Sequence, residues 1–268
     1  MLWEELSTLE LKQLAKDCGG VCVLPIGCIE KHGNHLPTGT DMYIGRAIAE
    51  AAAKIEKVLV FPYYFFGQAS ECKHFVGCIS ASHELLMSAL LEMCDEISRN
   101  GFKKIILLSS HGGNHWFLNF FAQKMPSLDK DYVVYVRSAW ASSKETYEKI
   151  HAFAETTEVS DHAGLAETAL IMHIRPDLVH IEKQDLDEGK NQNQIGHLTN
   201  SGIFTGLSWY GDYPNHYGGD HTKATKELGK FIHDLFCYEV CEAIRVIKSD
   251  IITPELFLEY NNYSREPK

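Results

Sequence analysis

The sequence predicts an α/β protein whose mainly parallel sheet carries helices on both faces. Two observations predict it. Short apolar runs alternate with helical segments along most of the chain, the pattern of strands joined by helical crossovers. The 268 residues are 45% hydrophobic and 23% charged, an ordinary soluble composition with ample material for a buried core. Residues 9–18 read as a helix stopped by Gly19 and Gly20. VCVLPIG, residues 21–27, fits a buried strand. Residues 42–56 have helical composition, with Asp41 placed to cap them. VLVFP, residues 58–62, is strand-like again. Ser82 opens an amphipathic helix whose apolar residues recur at three and four positions until Gly101. KKIILLSS, residues 103–110, is the clearest buried strand, and a helix follows from 115 to about 125. A strand over 131–138 precedes a helix from Lys144, a helix over 164–174 ends before Pro176, and a last long helix covers roughly 222–248. The polar stretch 182–197 reads as a long loop inside one domain spanning 1–268.

Lys plus Arg number 25 and Asp plus Glu 36, a net charge of −11. An acidic surface argues against nucleic acid or an anionic membrane as partner. The N-terminus has no apolar run of a targeting signal, and no stretch approaches the roughly 20 residues that span a bilayer. A cytoplasmic location is the expectation. The eight cysteines form no CxxC pair, and they are expected to be reduced, with Cys237 and Cys241 one turn apart on a buried helix face.

In open parallel sheets, ligands bind outside the carboxyl ends of the strands, and polar clusters gather at such ends. CIEKHGNHLPTGTD follows the first strand and carries Glu30, His32, His35 and Asp41. Residues two apart in extended chain point to the same side, so Glu30 and His32 can reach one cavity. Asp41 offers two oxygens, enough to bridge two cations about 3.5–4 Å apart. Singly, each also reads as a surface acid or a helix cap. HGGN follows the strand 103–110 with His111 and Asn114. Its glycines permit close backbone approach to a ligand or an anion-holding turn, although it lacks a Walker lysine and GxGxxG spacing. Asn114 also reads as a plain helix cap. SDHAGLAETA brings Asp161, His162 and Glu167 to a helix start, with each histidine either a ligand or a proton carrier. Among the scattered remaining histidines, His216 and His221 sit with Asp220 in GDYPNHYGGDHT, a segment that can reach a pocket.

LPIGCIEKHGNHLPTGTD, SSHGGN and DHAGLAETA, in that order and spacing, resemble the creatininase (creatinine amidohydrolase) family over roughly residues 20–245. The resemblance implies a three-layer α/β/α fold, a site for two divalent ions (Zn, Mn or Fe), hydrolysis of C–N bonds in cyclic or linear amides, and a homo-oligomer, commonly a hexamer. By match to the family motifs, Glu30 and His111 serve a first metal, His32 a second, and Asp41 bridges them. His162 matches the proton-shuttling histidine, and Glu167 the glutamate of the HAGxxET run. The chain departs from creatininase where Gly113 replaces a metal-binding glutamate, which makes Glu167 the candidate carboxylate of the second metal as well as a catalytic residue. It departs again at Glu158, aligned with a substrate-contacting tryptophan, and in CKHFVGC, where Cys72 and Val76 replace residues of an HxxFPGT pattern. These changes argue against creatinine as substrate.

The resulting expectation is a hydrolase that attacks a small-molecule amide with metal-activated water, His162 passing a proton to the leaving nitrogen. Two imidazoles and three carboxylates suit Zn, Mn or Fe better than Ca. The rivals are a ligand-binding or regulatory protein on the same fold, and a phosphate binder using HGGN.

Overall fold

The computed structural model describes residues 1–156 and 162–266. Four strands, β1 (Val21–Ile26), β2 (Leu59–Val60), β3 (Lys104–Ser109) and β4 (Val133–Ser138), form one parallel sheet in the order β2-β1-β3-β4. The helices are α1 (Thr8–Asp17), α2 (Thr40–Ile55), α3 (His83–Arg99), α4 (Asn114–Lys124), α5 (Lys144–Ala154), α6 (Leu165–Ile174), α7 (Gly196–Thr199), α8 (Ser208–Asp212), α9 (Lys226–Ser249) and α10 (Ile252–Arg265).

Successive strand residues face opposite sides of a sheet, and both sides are covered here. Val21, Val23, Ile106 and Leu108 pack with α2, α5, α6 and α9 through Ile48, Ile150, Leu170, Ile232 and Phe236. Cys22, Leu24, Ile26, Ile105 and Leu107 pack with α1, α3 and α4 through Leu14, Leu90, Ile97 and Phe121. Burial on both faces is why β1 and β3 read as unbroken apolar runs rather than alternating ones. The result is a three-layer α/β/α arrangement.

Several local expectations are corrected. Only two residues of 58–62 join the sheet. Asp41 does not cap α2: the helix begins at Thr40 with Gly39 at the N-cap, so Asp41 lies within the first turn and its carboxylate is turned elsewhere. Asn114 does not cap α4 either; Gly113 is the N-cap. Asn114 instead accepts the Gln68 N–H at 2.9 Å and donates to the Ile26 carbonyl at 3.4 Å, tying three loops together at the end of β1. The last long helix begins at Lys226 behind a Thr225 cap, because the Asp220 side chain turns the preceding chain by accepting the Thr222 N–H. The further helix α10 was not anticipated. Its apolar residues Ile252, Leu256, Tyr260 and Tyr263 recur at helical spacing but are largely exposed, so no buried core face marks it.

The chain runs from β1 outward to β2, and β3 lies on β1's other side, so a topological switch point opens between the carboxyl ends of β1 and β3. Crevices of this kind hold ligands in open α/β sheets.

Candidate metal centre

Four backbone segments converge on that crevice. Glu30 and His32 leave the end of β1, and His111 leaves the end of β3. From the first turn of α6 comes Glu167, while Asp41 projects from the first turn of α2. Residues Leu165 to Ile171 are all buried, so α6 is apolar all round apart from the polar groups it aims inward. Its amino-terminal end is also the favourable end of a helix dipole for a carboxylate.

The side chains meet. His111 Nδ1 lies 3.0 Å from Glu30 Oε1 and 3.2 Å from Asp41 Oδ2. His32 Nε2 lies 3.3 Å from Asp41 Oδ1, 3.6 Å from Glu167 Oε2 and 3.7 Å from Glu30 Oε1. The two oxygens of Asp41 thus face different partners, one toward His111 and one toward His32. Cys28, Glu30, Asp41 and His111 form one compact donor group, and His32, Asp41 and Glu167 another. Glu30, His32 and Asp41 are about 1% exposed or less. Among the described residues, Glu30 Oε1, His32 Nε2 and His111 Nε2 are buried without a hydrogen-bond partner. Such a set costs free energy unless a charge of the opposite sign completes it, and this donor chemistry fits a divalent cation.

The electrostatics agree. Burial pushes the Glu30 carboxyl up, but the His111 and His162 imidazoles, together with the hydrogen bond from His216, hold it well below its usual range. Burial opposes a charge on His32, yet Asp41 and Glu167 raise it to about 10. His111 is likewise raised, against its burial, by Cys28, Glu30 and Asp41. Burial lifts Glu167 to about 7, with Asp41 and Glu30 adding to it and His32 opposing. The pocket therefore gathers protons around three carboxylates, and a metal ion exchanges with such protons.

His162 stands over this cluster, its ring 4.2 Å from that of His32. Its Nε2 lies 2.7 Å from the Lys31 carbonyl, and its Nδ1 is 3.7 Å from Glu30 Oε1. Burial, then the neighbouring His32 charge, lowers it to about 3, so the ring is neutral. A backbone carbonyl only accepts, so Nε2 carries the proton and Nδ1 presents a lone pair to the cluster. The loop behind it is pinned. Ala163, at φ 59°, donates its N–H to Glu167 Oε2. Thr168 donates to the Ala163 carbonyl at 3.1 Å and in turn accepts from His35 Nε2 at 2.9 Å. His35 thus lies outside the cluster, stacked on His221 at 4.4 Å. His221 is occupied with Tyr217 and Asp220 with Thr222. Of that segment only His216 reaches the centre, its Nε2 2.9 Å from Glu30 Oε2. Asp161 and Glu158 lie outside the described residues. At Gly113 a Cβ would stand 2.4 Å from His111 Nε2, so a side chain there requires the imidazole to move.

Sequence reasoning missed three residues. Cys28 reads from the sequence only as one of eight reduced cysteines, although its place two residues before Glu30 puts it on the same side of an extended chain. Cys72 groups with Glu30 and His216. Trp209 donates its indole N–H to His216 Nδ1 at 3.0 Å, and no local pattern announces that long-range bond.

Fold and site define a parallel α/β protein with a buried, carboxylate-rich cluster of potential metal donors at its switch point. The creatininase family profile, described as creatinine amidohydrolase, matches residues 4–244. The chain belongs to the creatininase family and is a hydrolase. It is 26% identical over 195 residues to creatinine amidohydrolase of Pseudomonas putida, covering 68% of this chain and 73% of that one. It is also 26% identical over 184 residues to the mycofactocin precursor peptide peptidase of Mycobacterium ulcerans, covering 65% of this chain and 66% of the relative. A solved manganese creatininase superposes with a TM-score of 0.76 at 20% identity, covering 93% of this chain and 99% of the other, a likeness of fold. No helix among the described residues is long and apolar enough to cross a membrane.

Proposed function

We propose that this protein is a metal-dependent amidohydrolase that cleaves a C–N bond of a cyclic or linear small-molecule amide at a two-cation centre. The observation that carries the reading is the division of Asp41, with Oδ2 facing His111 and Oδ1 facing His32. On this reading Glu30, Asp41 and His111 hold one divalent ion, and His32, Asp41 and Glu167 hold the other. Zinc, manganese and iron suit the mixed nitrogen and oxygen donors. Bound there, divalent cations supply a nucleophilic water at neutral pH and polarise the scissile carbonyl.

The chain's own groups do the rest. His162 accepts a proton at Nδ1 and hands it to the departing nitrogen, because an amine leaves poorly as an anion. The Lys31 carbonyl fixes the tautomer that leaves Nδ1 free for this role. Glu167 Oε2, held by the Ala163 N–H, couples the position of the His162 loop to the centre. Relatives named for creatinine and for a precursor peptide share the C–N bond as the one that breaks.

The test is metal quantification of the purified protein. A panel of lactams, linear amides and short peptides is then assayed before chelation, after it, and after restoring Zn, Mn or Fe. Amine release that disappears with the metal and returns with it is expected. A fully metal-loaded protein that cleaves no member of the panel overturns the catalytic reading in favour of ligand binding.

A further inference from the structure

We propose that Cys28 is a fourth protein donor on the Glu30–Asp41–His111 side of the centre, giving that side a thiolate and a preference for thiophilic divalent cations. The inference rests on the two-cation reading above and concerns a residue that reading does not use. Cys28 is fully buried, just beyond the end of β1, two residues before Glu30 and four before His32. Its Sγ lies 3.1 Å from Asp41 Oδ2, the oxygen that also faces His111 at 3.2 Å.

Size decides whether this is a ligand or a bystander. Zinc binds thiolate at about 2.3 Å and nitrogen or oxygen at about 2.0–2.2 Å, so donors sharing one ion stand no more than about 4.6 Å apart. The contacts of Cys28 Sγ with Asp41 Oδ2 at 3.1 Å, of His111 Nδ1 with Asp41 Oδ2 at 3.2 Å and of His111 Nδ1 with Glu30 Oε1 at 3.0 Å fall well inside that limit, and all four donor atoms lie within 4.8 Å of one another, which a bound ion need contract only slightly. A second feature points to the same spot: Glu30, 1% exposed, keeps Oε1 in this group without a hydrogen-bond partner among the described residues.

The sides would then differ. His32, Asp41 and Glu167 offer nitrogen and oxygen only, whereas the Cys28 side adds sulfur. Thiolate ligands select zinc and other soft ions over manganese or magnesium. The thiol gives up its proton to solvent as the metal binds. Cys72 is the natural control: it belongs to a different group, with Glu30 and His216, and its Sγ donates to the Ala69 carbonyl at 3.3 Å.

The experiment is Co(II) substitution of the metal-stripped full chain, read by absorbance. The wild type and Cys72→Ser should show visible ligand-field bands together with a near-ultraviolet thiolate-to-cobalt charge-transfer band. Cys28→Ser should bind cobalt and lose the charge-transfer band, and its preference for zinc over manganese should fall about tenfold or more, the scale of losing a metal contact. Cys28→Ala, lacking any donor, should do the same, with circular dichroism reporting the fold. A cobalt-loaded wild type without the band, or Cys28→Ser with it, overturns the assignment of Cys28 and leaves the two-cation reading standing. A wild type that takes up no cobalt, zinc or manganese overturns both.

Discussion

His216 Nε2 donates to Glu30 Oε2 across 2.9 Å, between residues 186 positions apart in the chain. The direction follows from the other end of the ring. The Trp209 indole only donates, and it reaches His216 Nδ1 at 3.0 Å, so the ring proton must sit on Nε2. Glu30 is thereby held by one oxygen while the other faces His111. Outer groups that orient a ligand in this way commonly control metal affinity tenfold to a hundredfold.

Trp209→Phe removes the N–H and keeps an aromatic ring against His162. Zinc affinity, measured by competition with a fluorescent chelator, should fall by about 10–100-fold while the circular dichroism is unchanged. An affinity within twofold of wild type would show that the tautomer of His216 does not matter.

How far the site was legible depends on chain separation. Glu30 and His32 could be paired because extended chain puts alternate residues on one side, and His111 because it follows the most apolar strand. Asp41 is recognisable as a candidate bridge, yet its helical position is misjudged by two residues, which is within the fraying of any helix start. His216 is legible only as part of a segment that can reach a pocket, and Trp209 not at all, because α8 and the turn after it carry no periodic signal and the chain of bonds from Trp209 through His216 to Glu30 is purely tertiary. The helix α10 lies beyond the elements read from the sequence, and its apolar stripe is not buried against the core. The layered α/β architecture was readable because two-sided burial leaves uninterrupted apolar strands.

Asp41→Ala should empty both halves of the centre, since each of its oxygens faces a separate group. Metal analysis of the variant should give close to no bound ion, against about two in the wild type. Glu167→Ala should lose only the ion shared with His32, leaving about one. If Asp41→Ala keeps a full complement, the carboxylate is not a bridge.

His162→Ala should leave metal content intact and lower turnover by about 10²–10⁴-fold, the usual worth of a positioned proton carrier. The ring is neutral and offers Nδ1, so the loss should appear in kcat rather than in metal binding. Normal turnover would remove His162 from the reaction.

Glu239 of α9 supplies a pH dependence of stability away from the centre. Burial pushes its carboxyl up, but hydrogen bonds from the Ser142 N–H at 2.7 Å and the Ser142 hydroxyl at 3.0 Å outweigh that and hold it at about 2. Arg137 adds an ion pair at 3.2 Å. A folded-state pKa below the unfolded one stabilises above the unfolded value, about 4.3 for Glu, and that gain is lost as pH falls toward 2. Between pH 5 and 2 the wild type should lose about 1–2 kcal/mol more than Glu239→Gln, allowing for solvent screening. Parallel urea midpoints for the two proteins across that range would exclude the linkage.

Gly229 sets how closely α9 approaches α6, the helix that carries Glu167. A Cβ at 229 would stand 1.8 Å from the Ala169 carbonyl oxygen and 2.5 Å from its carbon. Both are backbone atoms, so no rotamer change relieves the clash and one helix must shift. Alanine gains roughly 1 kcal/mol of intrinsic helix propensity over glycine, while forced overpacking costs about 1–3 kcal/mol and more where backbone must move. The clash should win, so Gly229→Ala should lower the unfolding free energy by about 1–3 kcal/mol, read as a lower urea midpoint with an unchanged slope. Because Ala169 lies two residues beyond Glu167, the same shift should weaken zinc at the His32 half of the centre before the Cys28 half. A variant as stable as wild type, with both ions retained, would mean that α6 and α9 can part without cost.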